Sequence, residues 1–144
     1  MREFRRYPPE KLAKYPHMSP EDVRIWERYL EHHAQEWEWF AYDVKVGKGA
    51  PVPPGTPEWL ARMWKSLTKK RIDVVGSRNG RIWVIEVKPR CGLSAFGQAM
   101  AYRELYAQEY GVRPLAMVVC EYSDPDAKAL CLEHGIQVTE VGGE

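Results

Sequence analysis

The chain has 144 residues, of which 44% are hydrophobic and 28% charged, a composition typical of one compact globular domain that needs no disulfide or metal to hold its core. The formal net charge of +1 excludes nucleic-acid binding driven by overall charge, so any such interface must be a local basic surface. Three cysteines at unrelated spacings predict neither a zinc site nor a disulfide framework, and as reduced thiols they predict a cytoplasmic protein. The lack of an apolar run of about 20 residues predicts that the chain does not span a membrane.

The N-terminal residues, 1–18, are basic and proline-rich without periodicity, which predicts an extended, solvated arm ahead of a single domain at 19–144. A helix is predicted to begin at Ser19, because a capping serine is followed by Pro20 and two acids. Residues 39–46 then alternate with period two and predict a strand. The side chains expected on one face of that strand are Phe40, Tyr42, Val44 and Val46.

A short helix is predicted over residues 57–67, after a loop rich in glycine and proline. Its apolar side chains recur at helical spacing, and we expect them to join the core. They are Trp59, Leu60, Met63, Trp64 and Leu67.

Two further strands, 71–76 and 81–88, are predicted to form a hairpin, because Asn79-Gly80 is a strong signal for a two-residue type I′ turn. The turn pairs Arg78 with Arg81. Continuing that register places Asp73 opposite Glu86, with Lys88 on the same face. The side chains expected to pack on the other face are Ile72, Val74, Ile85 and Val87.

The remaining chain predicts a helix capped by Ser94 and ending at Gly111, a buried strand at 115–120, a helix between Asp124 and Gly135, and a strand at 136–141. The strand at 115–120 follows its predecessor through a helix, so the two are expected to be parallel. The sequence therefore predicts the α/β class, with a mixed central sheet flanked by helices.

The candidate chemistry lies in the hairpin. Two carboxylates facing each other repel, so a cation must offset them. Lys88 supplies one positive charge, and Mg²⁺ or Mn²⁺ bound by Asp73, Glu86 and the backbone carbonyl of Val87 would supply the rest. Such an ion activates water for phosphodiester hydrolysis, with Lys88 orienting or deprotonating that water or stabilising charge on phosphorus. The alternative is an ordinary hairpin whose three charged groups form a salt-bridged surface.

These residues resemble the motif of the PD-(D/E)XK nuclease superfamily, which has an acid on one strand and (D/E)xK on the next. Asp73 matches the first acid and Glu86-Val87-Lys88 the second element, whereas Ile72 stands where the motif has proline. The resemblance implies a restriction-endonuclease-like αβββαβ core, with the helix at 57–67 as an insertion. It also implies a metal-dependent nuclease acting on DNA.

Gln98 and Tyr102 resemble the QxxxY motif of the RecB-like branch, and their spacing of four puts them on one helical face. The resemblance implies that Gln98 contacts the lysine or a substrate phosphate, and that Tyr102 contacts the DNA backbone. A core position is the alternative for Tyr102. The superfamily often adds a glutamate from the first helix, and we favour Glu27 as an outer metal or water ligand.

A group of basic residues adjoins the catalytic strand and is expected to contact phosphates, with a solvated basic face as the alternative. Its members are Lys65, Lys69, Lys70, Arg71 and Arg90.

A domain of this size leaves little surface for reading a long base sequence. We therefore expect DNA ends, branched structures or single strands as substrates, or a partner protein that brings specificity. A structure-specific resolvase acting as a homodimer is one rival. A non-catalytic nucleic-acid-binding or assembly module that keeps the nuclease fold is the other.

Overall fold

The computed structural model describes residues 4–142, without the side chain of Ser66, so the ends of the predicted arm and domain, 1–3 and 143–144, lie outside the described residues. The element order matches the predicted one, with a short 3₁₀ turn at Ala34–Glu36 added after the first helix. The elements are α1 (Pro20–His33), β1 (Trp39–Val46), α2 (Glu58–Thr68), β2 (Lys70–Arg78), β3 (Arg81–Cys91), α3 (Leu93–Tyr110), β4 (Leu115–Ser123), α4 (Pro125–Glu133) and β5 (Ile136–Glu140).

The five strands form one mixed sheet in the order β1-β2-β3-β4-β5. β2 pairs antiparallel with both β1 and β3, whereas β3, β4 and β5 run parallel and are joined through α3 and α4. The predicted mixed sheet and the parallel pairing of β3 with β4 are confirmed.

Helices cover both faces of the sheet. Trp26 and Leu30 of α1 pack with Val74, Ile85 and other side chains of one sheet face. On the other face, a second cluster contains Ala95 and Ala99 of α3, Cys131 of α4 and inward side chains of all five strands. The β2–β3 hairpin therefore lies within the sheet and is buried on both sides, as the near-continuous apolar sequence of β4 also requires.

The helix ends follow the sequence signals, with one exception. Ser19 caps α1 by accepting a hydrogen bond from the N–H of Asp22 at 3.1 Å. Asp124 likewise caps α4, and Gly111 ends α3 in the left-handed conformation. The predicted cap at Ser94 is wrong, because α3 begins at Leu93 with Gly92 at the cap position and no side-chain cap.

Strands β1 and β2 change face at their centres, which the period-two pattern did not predict. Tyr42 packs in the α1-side cluster, whereas Val44 packs on the opposite side of the sheet. Val74 and Ile72 of β2 are divided in the same way. Asp43 lies between the two halves of β1 with φ +54°, and this left-handed residue interrupts the alternation. The single faces predicted for Phe40–Val46 and for Ile72 with Val74 are therefore wrong.

The N-terminal arm is extended but is not a solvated tail. Tyr7 exchanges two backbone hydrogen bonds with Phe40 of β1. Tyr15 is buried against Tyr42, and Phe4 packs on Trp39. Burial of these aromatic side chains stabilises the position of the arm, an effect that the basic composition of the segment does not indicate.

Helix α2 forms where predicted, but its apolar face does not join the core. The helix lies in the connection between β1 and β2, and its large apolar side chains are exposed. They are Trp59, Leu60, Met63, Trp64 and Leu67. None of the described helices is long and apolar enough to cross a membrane.

Candidate active site

The turn of the β2–β3 hairpin sets the register of the site. Asn79 and Gly80 have φ of +52° and +72°, as a type I′ turn requires. Their N–H groups donate to the carboxylate of Glu38 at 3.0 and 3.3 Å, which fixes the turn to the start of β1. Arg78 pairs with Arg81, and the register runs without a slip to Val74 and Ile85. The predicted hairpin register is confirmed over this length.

The ladder between β2 and β3 stops at that pair, and Asp73 occupies the position where the strands separate. Its Oδ2 accepts a hydrogen bond from the backbone N–H of Val87 at 3.0 Å. Asp73 therefore lies against β3 beside Val87 instead of forming a ladder pair with Glu86. Beyond the separation, Glu86 and Val87 continue to pair with β4, so the site is an opening between two strands of an otherwise continuous sheet.

The surroundings of Glu86 in this opening strongly shift its pKa. It is 3% exposed, and its Oε1 is buried without a hydrogen-bond partner among the described residues. Burial raises the pKa of Glu86 well above its ordinary value, and the charge of Asp73 raises it further. Burial likewise raises the pKa of Asp73, against the lowering effects of the Val87 N–H and of Lys88. The two carboxyl groups thus disfavour each other's ionisation, in a region where burial already makes negative charge unfavourable.

Lys88 supplies a positive charge beside this pair. Its Nζ lies 3.9 Å from Oε2 of Glu86, and one third of its side chain is exposed. The ammonium group lowers the pKa of both carboxyl groups, although burial outweighs it for each. Lys88 is therefore close to the carboxylates and also accessible to a ligand that enters from solvent.

Helix α3 packs on β3 and brings Tyr102 within electrostatic range of the two carboxylates. The amide Oε1 of Gln98 is buried and, among residues 4–142, has no hydrogen-bond partner. Burial raises the pKa of Tyr102 to about 12, and the charges of Glu86 and Asp73 add to the effect. Tyr102 also packs at the edge of the core, so it belongs both to the core and to the surroundings of the carboxylates.

Helix α1 places the charge of Asp22 within range of the two carboxylates, and the role of Glu27 as an outer ligand stays a prediction. The charge of Asp22 raises the pKa of both Asp73 and Glu86, whereas Glu27 accepts a hydrogen bond from the hydroxyl of Tyr15 at 3.3 Å. The contacts of Glu27 thus attach the arm to α1. The sequence signal for Asp22 is an acid in the first helical turn, which by itself indicates only a favourable interaction with the helix dipole.

The predicted phosphate-binding residues are distributed around this site. Arg71 forms an ion pair with Asp43 at 2.8 Å, and the charge of Asp43 acts on Asp73. Arg90 lies 3.5 Å from Asp124 with about half of its side chain exposed. Lys70 is exposed at the start of β2. Lys65 and Lys69 line a separate cleft beside α2, so the basic residues do not form one continuous cluster.

The carboxylate oxygens of Asp73 and Glu86 are ligands of the kind that a hard divalent cation binds. Within the described residues, no group of three or more His, Cys, Asp and Glu side chains is arranged as a metal site. The donor set is therefore limited to the two carboxylates and a backbone oxygen. Because the N–H and C=O groups of a strand residue point to the same side, we expect the carbonyl of Val87 to face the opening as its N–H does. Two carboxylates and a carbonyl, completed by water, are a sufficient set for Mg²⁺.

Comparison with known proteins gives similarity at the level of fold. No family model and no curated protein sequence matches the chain. A solved structure of a repair endonuclease from Pyrococcus abyssi is similar over 92% of this chain and 50% of its own length, at 19% identity and a TM-score of 0.53. EndoMS in a complex with dsDNA is similar over 92% of this chain and 51% of its own length, at 18% identity and a TM-score of 0.49. The chain thus spans about half the length of these two neighbours.

The similarity to the first of these structures, together with the five-stranded mixed sheet, shows a restriction-endonuclease-like fold. Membership of the RecB-like branch stays a prediction that depends on Gln98 and Tyr102.

Proposed function

We propose that the protein is a divalent-metal-dependent nuclease that hydrolyses phosphodiester bonds of DNA at the opening between β2 and β3. The observation that carries this proposal is the buried carboxylate of Glu86, which has no partner for its Oε1 although it lies beside the carboxylate of Asp73. A scaffold gains nothing from such an arrangement, because a buried carboxyl group without a partner costs on the order of 1–3 kcal/mol, and more when it is ionised. A cation bound between the two groups removes that cost.

The residues that would hold Mg²⁺ or Mn²⁺ are Asp73, Glu86 and, through its carbonyl oxygen, Val87. When bound, the ion supplies Lewis-acid polarisation of the phosphate and lowers the pKa of a coordinated water. The Val87 N–H fixes the Asp73 carboxylate at 3.0 Å, so one side of the site is preorganised. Asp22 adds negative charge from α1, which strengthens attraction for the cation without requiring direct contact.

Lys88 and Gln98 would act on the substrate. The ammonium group of Lys88 is positioned to orient the attacking water and to stabilise negative charge that develops on the phosphoryl oxygens. The buried amide of Gln98 would orient Lys88 or a phosphate oxygen. Arg90 and Lys70, at the ends of the two strands, are suited to phosphate contacts that position DNA without reading its sequence.

The fold similarity is consistent with this activity, because the neighbour with the higher TM-score is described as a repair endonuclease. The proposed Mg²⁺ or Mn²⁺ cofactor and the proposed residue roles rest on the geometry of the site and not on that similarity.

The test is incubation of plasmid, linear and branched DNA with the protein in Mg²⁺, in Mn²⁺ and in EDTA. We expect cleavage that requires the metal and is lost in Asp73→Asn and Lys88→Ala. Asp126→Asn, which removes an exposed acid of α4, is the matched control and should cut at the wild-type rate. Cleavage that persists equally in Asp73→Asn would place the activity elsewhere. Metal-independent DNA binding without cleavage by the wild type would favour the non-catalytic module instead.

A further inference from the structure

Helix α2 carries an apolar stripe that faces away from the rest of the protein. Trp59, Met63 and Leu67 follow one another at intervals of four residues, which places them along one side of the helix. Their side chains are 65%, 50% and 64% exposed. A row of three large apolar side chains on a short surface helix is a costly arrangement unless a ligand covers it.

The opposite side of α2 is fixed to the loop that follows β1. The indole N–H of Trp64 donates to the carbonyl of Pro51 at 3.1 Å, and the hydroxyl of Thr68 accepts from the N–H of Ala50 at 2.7 Å. A Cβ at Gly49, which has φ +79°, would lie 2.6 Å from the carbonyl oxygen of Lys65. The loop therefore holds the helix closely from behind, so the stripe is presented outward by a defined contact.

A basic cleft lies between α2 and the loop that follows β1. Its volume is about 620 Å³, and Lys48, Lys65 and Lys69 are among its lining residues. The segment 58–71 as a whole contains five cationic side chains and one acid, in a chain whose formal charge is only +1. Pairing this helix with a second copy of itself would bring like charges together. A polyanion complements the charge of this surface.

The position of α2 connects this surface to the candidate active site. Lys69 ends the helix, and β2 begins at the next residue and carries Asp73. Asp73 lies four residue steps along the extended chain from Lys69, a span of about 13 Å. One DNA strand of a few nucleotides can therefore contact the cleft and reach the carboxylates.

We propose that α2 is a platform for unpaired bases, on which Trp59, Met63 and Leu67 contact the faces of bases while the lysines of the cleft bind the phosphates of the same strand. Aromatic stacking beside a positive groove is the general way in which proteins bind single strands without reading sequence. The inference rests on the proposed nuclease function and specifies its substrate class: DNA with unpaired bases near the scissile phosphate. Fully paired duplex offers its bases no access to the stripe.

The test compares the affinity of the full chain for a fluorescent single-stranded oligothymidylate and for a fully paired duplex of equal length, by anisotropy in EDTA so that no cleavage occurs. We expect the wild type to prefer the single strand. Trp59→Ala should weaken single-strand binding by about tenfold or more, and Trp59→Phe should retain most of it. Leu132→Ala, which truncates a comparably exposed side chain on α4, is the matched control and should bind as the wild type does.

Equal binding of the single strand by wild type and Trp59→Ala, or a wild-type preference for duplex, would overturn the inference. So would sedimentation of the wild type as a dimer that Trp59→Ala converts to a monomer with unchanged DNA affinity, because the stripe would then be a subunit interface. Failure of the proposed nuclease function would give a different result. In that case no DNA is cut in Mg²⁺ or Mn²⁺, although Trp59 still controls single-strand binding.

Discussion

Replacing Glu86 by glutamine is expected to stabilise the metal-free protein while abolishing its response to metal. The wild-type carboxylate is buried, has an unsatisfied oxygen and lies beside the charge of Asp73. Glutamine has nearly the same shape and carries no charge. The amide remains a buried polar group, but the substitution removes the cost of ionising a buried carboxyl, which is about 1–2 kcal/mol. For a chain of this length that free energy raises Tm by roughly 3–7 °C.

The pH dependence of this stabilisation follows from the sign of the pKa shift. Below the ordinary glutamate pKa of 4.5, Glu86 is protonated in both the folded and the unfolded state, so the substitution changes little. As pH rises above 4.5, the unfolded state releases its proton first and the free energy of unfolding of the wild type falls. The advantage of Glu86→Gln therefore grows with pH and is complete above the raised pKa of the folded state.

Thermal unfolding followed by circular dichroism between pH 4.5 and 8, in EDTA and then in excess Mn²⁺, measures both effects. Wild type should gain stability with Mn²⁺ by mass action, whereas Glu86→Gln should not. Glu104→Gln is the control of opposite sign, because Arg113 lowers the pKa of Glu104, so its removal cannot stabilise the fold. A lower Tm for Glu86→Gln at pH 8 in EDTA would refute the reasoning.

Three further substitutions test other parts of the account. Lys88→Ala should reduce the rate of DNA cleavage on the order of 10²–10³-fold in single-turnover assays while Mn²⁺ still binds; an unchanged rate would remove Lys88 from the chemistry. Asp22→Asn should weaken Mn²⁺ affinity by about tenfold in calorimetric titration, and equal affinity would make Asp22 a helix-capping acid only. Gly76→Ala should lower stability to urea by about 1–3 kcal/mol, because its Cβ would lie 2.7 Å from the ring of Trp37. The control is Gly97→Ala on α3, whose Cβ meets open space and which should raise stability by about 0.5–1 kcal/mol. If Gly76→Ala also raised stability, that result would contradict the packing described.

The hairpin was predictable from sequence because its determinants are local. Asn79 and Gly80 select one turn type, and the turn fixes which residues of β2 and β3 face each other. That register brought Asp73, Glu86 and Lys88 into one small region before any tertiary contact was known. The separation of the strands at Asp73 was not predictable, since it depends on the hydrogen bond from Val87 across the gap.

In β1 and β2, the alternation of hydrophobic residues does not predict which side of the sheet each side chain occupies. Asp43 adopts a positive φ, although this position does not have the glycine or asparagine that would indicate such a conformation. Val44 and Tyr42 are both apolar, so the pattern looks regular although the two side chains lie on opposite sides of the sheet. The ion pair between Asp43 and Arg71 accounts for the unusual residue only once the tertiary structure is known.

Helix α2 illustrates a different limit. Its periodicity correctly predicted an amphipathic helix, but periodicity does not specify what covers the apolar face. Residues such as Trp59 and Leu67 were assigned to the core because apolar faces usually pack within the same domain. The three-dimensional position of α2, outside both layers that flank the sheet, was not encoded in the local pattern.

The most direct measurement of the central claim is the location of Mn²⁺ by anomalous diffraction from crystals of the protein grown or soaked with the ion. The account predicts a single strong peak between β2 and β3, about 2.0–2.2 Å from oxygen atoms of Asp73, Glu86 and the Val87 carbonyl. A peak at other ligands, with the carboxylates of Asp73 and Glu86 left uncoordinated, would contradict it.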